Sequence, residues 1–499
     1  MEEYKFKEKI NLISDPYFDR EFFTNLIYCI DRKKTIREVF EAVMNEIQLT
    51  PSYSEDFDRA LLQLFYSYQA SSFVRENYQW LPLTQGIYSI ALQRGKGQKP
   101  LGHHQWLPVK TQASTPEQFD ELVRKDLRAV ESQSFAWGAL LFLLDNRTTR
   151  AKAVASIVKH AVTDSDPQTV EMMVKAFDIA LSSGWKANSN IMKRPFDRFW
   201  KASKAPEFVA KAAQLSKSIP LEESATTSVW KSEWTENLWK RISEQSVESA
   251  WEYLVTLFKE GAGFEQAFAL LGVFRGRCLF SMKTEQWPYV TASLSYSEAL
   301  QSSARWVSEE QSFFLAISLF DLVQLSQRLQ TQPIPRPTGA TVLDGVSKNI
   351  SKDRLILRLD DKIELGHRAD ALDLSVVILN DEGLSHSISD RLILMASKQD
   401  GWTFGSRTIS TAMILVKAFD ECRRLGMNGE TIRDAVYGLI RFLTDQRALS
   451  LQVVPLTGTY GEGMKPSQFD VSGGARIVDR FVFNQMRNAQ RIKIWPSDN

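Results

Sequence analysis

The sequence has no excess of charge of either sign. Its 61 lysine and arginine residues are matched by 60 aspartate and glutamate residues, so the formal net charge is +1 at pH 7. Proteins dedicated to nucleic acids or to anionic membranes usually carry a strong basic field. The balance excludes a strong global nucleic-acid signal, and any such contact would need a local basic patch.

Cysteine is scarce. Cys29, Cys278 and Cys422 are an odd number of widely separated cysteines, whereas disulfide frameworks use even sets in short chains. The first residues, MEEYKFKEKINLISDPYF, also lack a basic segment followed by an apolar stretch, as a secretory signal would require. We therefore expect a cytoplasmic protein.

Long apolar runs are missing as well. The most apolar segments are FAWGALLFLL at 135–144 and FFLAISLF at 313–320, about half the length of roughly 20 residues that a membrane-spanning helix needs. We expect no membrane span and predict that both segments form buried helices.

Contiguous catalytic motifs are absent. The glycine-containing segment 457–463 is not followed by Gly-Lys-Ser/Thr, and the chain contains neither a G-x-S-x-G elbow nor an H-E-x-x-H helix. The sequence therefore excludes a standard P-loop, a nucleophile elbow and a zinc-protease helix, and it names no cofactor.

The sequence does contain helical periodicity and helix-capping signals. Asp166-Pro167 combines a capping carboxylate with a first-turn proline, and Gly184 follows an apolar stripe at helical spacing, which predicts a helix between them. Further helix starts are predicted at Thr115, Ser246 and Ser308. The pattern predicts an all-α fold, as an irregular helical bundle or stacked helical hairpins in two units, with little or no β-structure.

Prolines at every second position, Pro333, Pro335 and Pro337, mark the best predicted boundary. We predict four regions: a helical region 1–113 that ends in an irregular loop over 82–113, a helical-hairpin region 114–330, a connector 331–349, and a helical unit 350–499. The last unit would contain a glycine-rich loop at 452–474 and a final docking helix.

The most metal-like arrangement is Glu364-Leu-Gly-His367, whose spacing would place a carboxylate and an imidazole on one helical face, with Glu382 and His386 following. Carboxylate-bridged di-iron bundles use two such E-x-x-H helices. The second pair here has a different spacing and follows a turn signal. The alternative is that all four are solvated residues that cap or pair at helix ends.

Three residues are candidates for catalysis. His103 and His104 form the only adjacent histidine pair, in an irregular segment, and histidine is the usual proton carrier near neutral pH. Cys278 closely follows Arg275 and Arg277, whose charges favour a thiolate. The alternatives are a structural surface pair and a buried cysteine that behaves as a small apolar residue.

Aromatic residues suggest binding surfaces. Trp230 and Trp234 are four residues apart and line one helical face, and Tyr460 lies in the glycine-containing segment. All three are candidate ligand contacts, although a core position explains the tryptophans equally well. A basic and aromatic stretch at 193–204 has a composition that can bind nucleic acid, or it can be an amphipathic helix with solvated cations.

Two functions follow from these patterns. The first is a helical protein-binding scaffold or adaptor, whose partner is another protein or a second copy of the chain. The alternative is an enzyme with an inter-helical pocket, metal-dependent or oxidoreductase-like, that acts on a small hydrophobic substrate.

Overall fold

The computed structural model describes part of the chain. The described residues are 35–47, 55–75, 78–94, 115–124, 130–183, 185, 188–201, 204–218, 230–244, 246–329, 334–339, 352–381, 384, 387–399, 407–427 and 429–456. Within these ranges no helix is long and apolar enough to cross a membrane.

Nineteen α-helices and two short 3-10 helices make up the regular structure of the described ranges, which contain no strand, so the prediction of an all-α fold is confirmed. The α-helices are α1 (Ile36–Ile47), α2 (Glu55–Ala70), α3 (Trp80–Arg94), α4 (Pro116–Arg124), α5 (Val130–Asp145), α6 (Arg147–Asp164), α7 (Pro167–Ser182), α8 (Asn188–Lys201), α9 (Glu207–Ser218), α10 (Ser232–Ser243), α11 (Val247–Lys259), α12 (Phe264–Ser281), α13 (Trp287–Trp306), α14 (Gln311–Arg328), α15 (Lys352–Glu364), α16 (Arg368–Asn380), α17 (Ile388–Ser397), α18 (Thr408–Arg424) and α19 (Glu430–Leu456).

Local capping explains several helix starts. The Asp166 side chain accepts a hydrogen bond from the Thr169 amide at the start of α7, and Ser246 accepts one from Ser249 at the start of α11. Both predicted starts are confirmed. Ser308 instead opens a 3-10 turn, Ser308–Glu310, and α14 begins after it. Gly184 lies outside the described residues.

Two predicted irregular segments are partly helical. Residues 82–94 belong to α3, where Pro82 occupies the tolerant first turn. Gly86 lets α3 approach α2 closely, because an added Cβ would lie 2.7 Å from the Cβ of Ser67. Residues 452–456 belong to the last turns of α19. The pattern of 82–113 allows one short strand or helix, and α3 is such a helix. The rest of the two predicted loops, 95–113 and 457–474, and the final docking helix lie outside the described residues, so the loops stay predictions.

The core is continuous from α1 to α19. Helix α12 lies near its centre, and it packs against α13, α14, α18 and α19. Fifteen of its 18 residues are buried, so α12 meets partners on nearly all sides. Every polar side chain on α12 that faces a neighbour must therefore find its partner inside the protein.

The crossing of α12 and α19 is made by two glycines. A Cβ added to Gly438 would lie 2.1 Å from the carbonyl oxygen of Gly276, and a Cβ added to Gly276 would lie 2.7 Å from the Cβ of Ala435. Only glycine leaves room for backbones at this distance. The two helices therefore touch backbone to backbone.

Residues 334–339, in the predicted connector, lie against the C-terminal helices. Arg336 donates a hydrogen bond to Asp434 on α19 at 2.9 Å, and the Gly339 amide donates to Asp373 on α16 at 3.1 Å. The α12–α19 contact also connects a helix that precedes this segment in the chain with one that follows it. The division into two units and the other region boundaries stay predictions.

His160 fastens α4 to α6. Its Nε2 lies 2.8 Å from Asp120 Oδ1 on α4, and its Nδ1 lies 3.2 Å from Asp164 Oδ2 on α6. Ser156 donates a hydrogen bond to the same Asp120 oxygen at 2.8 Å. Burial lowers the pKa of His160, but Asp164 and Asp120 outweigh burial and raise it.

We expect Gly438→Ala to destabilise the protein by about 3 kcal/mol or more, because the added methyl group would overlap the Gly276 carbonyl. In an open helical position the same change would stabilise by about 1 kcal/mol. Gly272→Ala is the matched control, since its Cβ would lie 3.1 Å from Ala418 Cβ. The midpoint of urea unfolding measures both, and an unchanged midpoint for Gly438→Ala would contradict the crossing.

His160→Gln should make stability less dependent on pH. A raised folded-state pKa means that protonated His160 contributes its full stability below the ordinary value of 6.5 and loses it as pH rises through the folded value. The wild type should therefore exceed the variant by about 1 kcal/mol near pH 5.5 and by less near pH 8.5. Urea unfolding at the two pH values measures this; a difference that grows with pH would refute the pairing.

Candidate functional site

The first metal candidate pair is split between two helices. Glu364 is the last residue of α15 and His367 precedes α16, with Gly366 between them at a φ of 71°. Glu364 accepts a hydrogen bond from Lys398 at 2.9 Å, and His367 is 54% exposed with Asp370 at 3.9 Å. A turn therefore replaces the shared helical face that the spacing predicted.

Glu382 and His386 lie outside the described residues. Where the chain is described, no three histidine, cysteine, aspartate or glutamate side chains are grouped so that they could hold a metal ion. A metal site formed by Glu364, His367, Glu382 and His386 stays a prediction.

Cys278 is a core residue of α12. Its side chain is fully buried, and burial raises the pKa of its thiol to about 12 although Arg275 and Arg277 act in the opposite direction. Desolvation thus outweighs the neighbouring cations on which the prediction of a reactive thiolate was based. His103, His104 and Tyr460 lie outside the described residues, so their roles stay predictions.

Trp230 and Trp234 pack against each other in the core. Their ring centroids are 5.2 Å apart at an interplanar angle of 84°, and both side chains are buried. The Trp230 indole donates a hydrogen bond to Thr235 at 2.8 Å. The structure thus places them where a packing role accounts for both, and a ligand-binding role stays a prediction.

Two arginines of the basic and aromatic stretch at 193–204 bind a buried carboxylate. Arg194 Nε and Arg198 Nη1 donate hydrogen bonds to the two oxygens of Asp58 at 2.7 and 2.6 Å, and the Asp58 side chain is 3% exposed. Because Asp58 binds both guanidinium groups and Asp166 lies 3.4 Å from Arg198, these arginines already have partners within the protein.

A buried ion cluster joins four helices around Glu298 on α13. Lys175 from α7 and Lys417 from α18 donate hydrogen bonds to the Glu298 carboxylate at 2.6 and 3.0 Å. Lys175 also lies 3.3 Å from Gln69 Oε1 and 4.8 Å from the ring of Tyr66, both on α2. These partners satisfy the cluster from within the protein, which is typical of a structural site.

The charge of Glu298 depends on these lysines. Burial alone would raise the pKa of its carboxyl, but Lys175 and Lys417 outweigh burial and lower the pKa to about 2. The cleft beside the cluster holds a volume of about 30 Å³, enough for roughly one water molecule. The cluster is therefore too enclosed to be the first candidate for a ligand site.

An open groove of about 460 Å³ lies elsewhere, between α13 and α14, within the size range of ligand pockets. The residues that form it come from four helices. Helices α13 and α14 contribute four lining residues each, and the first turns of α7 and α9, with Pro206, contribute the other four. Its lining residues are Pro167, Pro206, Glu207, Phe208, Tyr289, Ala292, Ser293, Tyr296, Asp321, Gln324, Leu325 and Arg328.

Asp321 is held in the groove by a fully buried cation. Arg275 on α12 donates from Nη2 to Asp321 Oδ2 at 3.0 Å and from Nε to Ser293 Oγ at 2.8 Å, and Ser293 donates to the same Asp321 oxygen. Arg275 also donates to the carbonyls of Leu271 and Ser318. No described residue donates a hydrogen bond to the other oxygen, Oδ1, of this partly exposed side chain.

Tyr296 lies beside Asp321 on the groove wall. Its residue is 2% exposed, and its hydroxyl has no hydrogen-bond partner among the described residues. Burial, followed by the charges of Asp321 and Asp166, raises the pKa of Tyr296 far above its usual value, so the phenol stays neutral. A buried polar group without a partner costs free energy.

The sequence patterns did not single out this groove. Tyr289, Ser293 and Tyr296 share one face of α13 by spacing, and Asp321 is a lone acid within the apolar run of α14. The available sequence signal for the groove was the position of Asp321 inside an apolar run. Its partners, Ser293 and Arg275, lie 28 and 46 positions away in the chain.

Comparisons with known proteins add no relative: no protein-family model, no curated protein and no solved structure matches this chain.

We expect Glu298→Gln to destabilise the protein by about 3 kcal/mol or more at pH 7, because the buried Lys175 would lose its counter-charge. The folded-state pKa of about 2 lies below the ordinary 4.5, so the contribution of Glu298 is present above pH 4.5 and is lost as pH falls towards 2. Urea unfolding of both proteins at pH 7 and near pH 3 measures this difference.

Glu265→Gln serves as the control, because Glu265 belongs to a surface pair and its side chain is 69% exposed, where a pair contributes 1 kcal/mol or less. If Glu298→Gln were no more destabilising than Glu265→Gln, the cluster would not be a central element of the fold.

Proposed function

We propose that this chain is a helical scaffold that binds a segment of another protein in the groove between α13 and α14. One observation carries the proposal: Asp321 lines the groove, is fixed from behind by Arg275, and accepts no hydrogen bond at Oδ1 from the described residues. Polar groups held in place before binding lower the cost of association.

The rim of the groove supports a protein partner. Tyr289 is 63% exposed and Arg328 is exposed, and they lie on opposite walls. Tyrosine and arginine are enriched among the residues that dominate protein–protein interfaces. An exposed tyrosine beside an apolar floor of Phe208 and Leu325 is therefore suited to cover a partner's side chains.

The enzyme alternative draws less support from the groove. Its lining contains no histidine, cysteine or lysine among the described residues, and these are common proton carriers and nucleophiles. Asp321, one of the two lining carboxylates, already balances the charge of Arg275. Binding therefore accounts for the arrangement better than proton transfer does.

Photo-crosslinking tests the proposal. With p-benzoylphenylalanine in place of Tyr289 or of Gln324, one partner protein should be captured from both positions in the native cells. Leu181 is the control position, because its side chain is 56% exposed and it does not line the groove. The purified partner should bind Tyr289→Ala at least tenfold more weakly than the wild type, which corresponds to about 1.4 kcal/mol.

Leu181→Ala should bind the partner like the wild type. The proposal fails if groove positions capture nothing that position 181 does not, or if Tyr289→Ala leaves the affinity unchanged.

A further inference from the structure

Aromatic rings and carboxylates share the groove. Phe208, Tyr289 and Tyr296 supply three rings, and Asp321 and Glu207 supply two carboxylates. The face of an aromatic ring attracts cations, and the attraction increases when water is excluded. The combination is suited to an organic cation, because Glu207 adds charge attraction to the attraction of the rings, and Asp321, whose charge Arg275 already balances, adds a hydrogen-bond acceptor.

Arg275 does not compete with a ligand for the groove. It is fully buried, and it reaches the Asp321 oxygen Oδ2 from the core side. The oxygen Oδ1 receives no hydrogen bond from the described residues and remains for a ligand that donates one. The buried guanidinium therefore fixes the orientation of the carboxylate without filling the groove.

Arg328 is the one lining cation among the described residues. It lies seven residues after Asp321 on α14, which is about 10 Å along the helix axis. Repulsion between Arg328 and a cation bound at Asp321 is weakened by this separation and by solvent screening. The site for a cation is therefore the end of the groove nearest Asp321, Ser293 and Tyr296.

We propose that the groove recognises a basic side chain of the partner segment, which donates a hydrogen bond to Asp321 Oδ1 and packs its charged end against the ring of Tyr289. The inference rests on the proposed function and names the chemistry of the partner. A guanidinium is the better fit, because its several N–H donors lie in one plane and that plane stacks on aromatic rings. A neutral side chain of equal length leaves Asp321 Oδ1 without a donor.

Fluorine NMR of the full chain labelled with 3-fluorotyrosine tests the inference. The chain has 13 tyrosines, and Tyr289→Phe and Tyr296→Phe assign the two groove resonances. Nα-acetyl-arginine amide and Nα-acetyl-lysine amide should shift both resonances saturably, with the arginine probe binding more tightly. Nα-acetyl-norleucine amide, the neutral comparator, should bind at least tenfold more weakly, and the Tyr253 resonance on α11 should not move.

Glu207→Gln should weaken binding of the cationic probes several-fold. Because the Glu207 side chain is exposed, we expect this variant to keep the fold. Asp321→Asn should abolish binding of the cationic probes, but it also removes the counter-charge of Arg275. If Asp321→Asn does not fold, Glu207→Gln still tests the inference. Equal binding of the norleucine probe, or no saturable shift, would overturn cation recognition.

The two proposals fail separately. If no cation binds but groove crosslinking still captures a partner, the protein-binding function stands and the inferred recognition of a basic side chain is wrong. If the cationic probes bind but no partner is captured, cation recognition stands, and the groove serves a free amine rather than a protein.

Discussion

The burial of α12 is the constraint on which the rest of the structure depends. Gly276 and Gly438 bring α12 and α19 into backbone contact, and the side chains around this crossing lose access to water. Arg275 and Arg441 are both buried there, and Arg441 donates to the Leu279 and Phe280 carbonyls at the end of α12. A buried guanidinium needs acceptors on every side, and for Arg275 these include Asp321. The carboxylate in the groove is therefore a consequence of the core.

The carboxylates of Glu298 and Asp321 differ in how their partners are arranged. The Glu298 cluster has its lysines, its glutamine and its aromatic ring inside the protein, and it joins four helices. Asp321 lines the groove and has one oxygen bound to the core, whereas its Oδ1 accepts no hydrogen bond from the described residues. The first arrangement stabilises the fold, whereas the second leaves binding capacity for a ligand. This difference, rather than the number of charges, separates the structural site from the functional candidate.

Local chemistry was readable in the sequence, whereas contacts between distant segments were not. Asp166 and Ser246 cap helices through neighbours within three residues, so their patterns identified them. The spacing of Glu364 and His367 predicted one helix, because spacing alone does not reveal the left-handed turn at Gly366. The groove unites the first turn of α9 with Tyr296 and Asp321, which are about 90 and 110 positions further along the chain, and no contiguous motif encodes such a meeting.

We propose that Asp321, fixed by Arg275, presents Oδ1 to a cation in the aromatic groove; this oxygen accepts no hydrogen bond from the described residues. A crystal structure of the full chain grown with ethylguanidinium tests it most directly. We expect the guanidinium within hydrogen-bond distance of Asp321 Oδ1 and against the ring of Tyr289. A groove filled by another segment of the same chain, or an Asp321 turned away from it, would contradict the account.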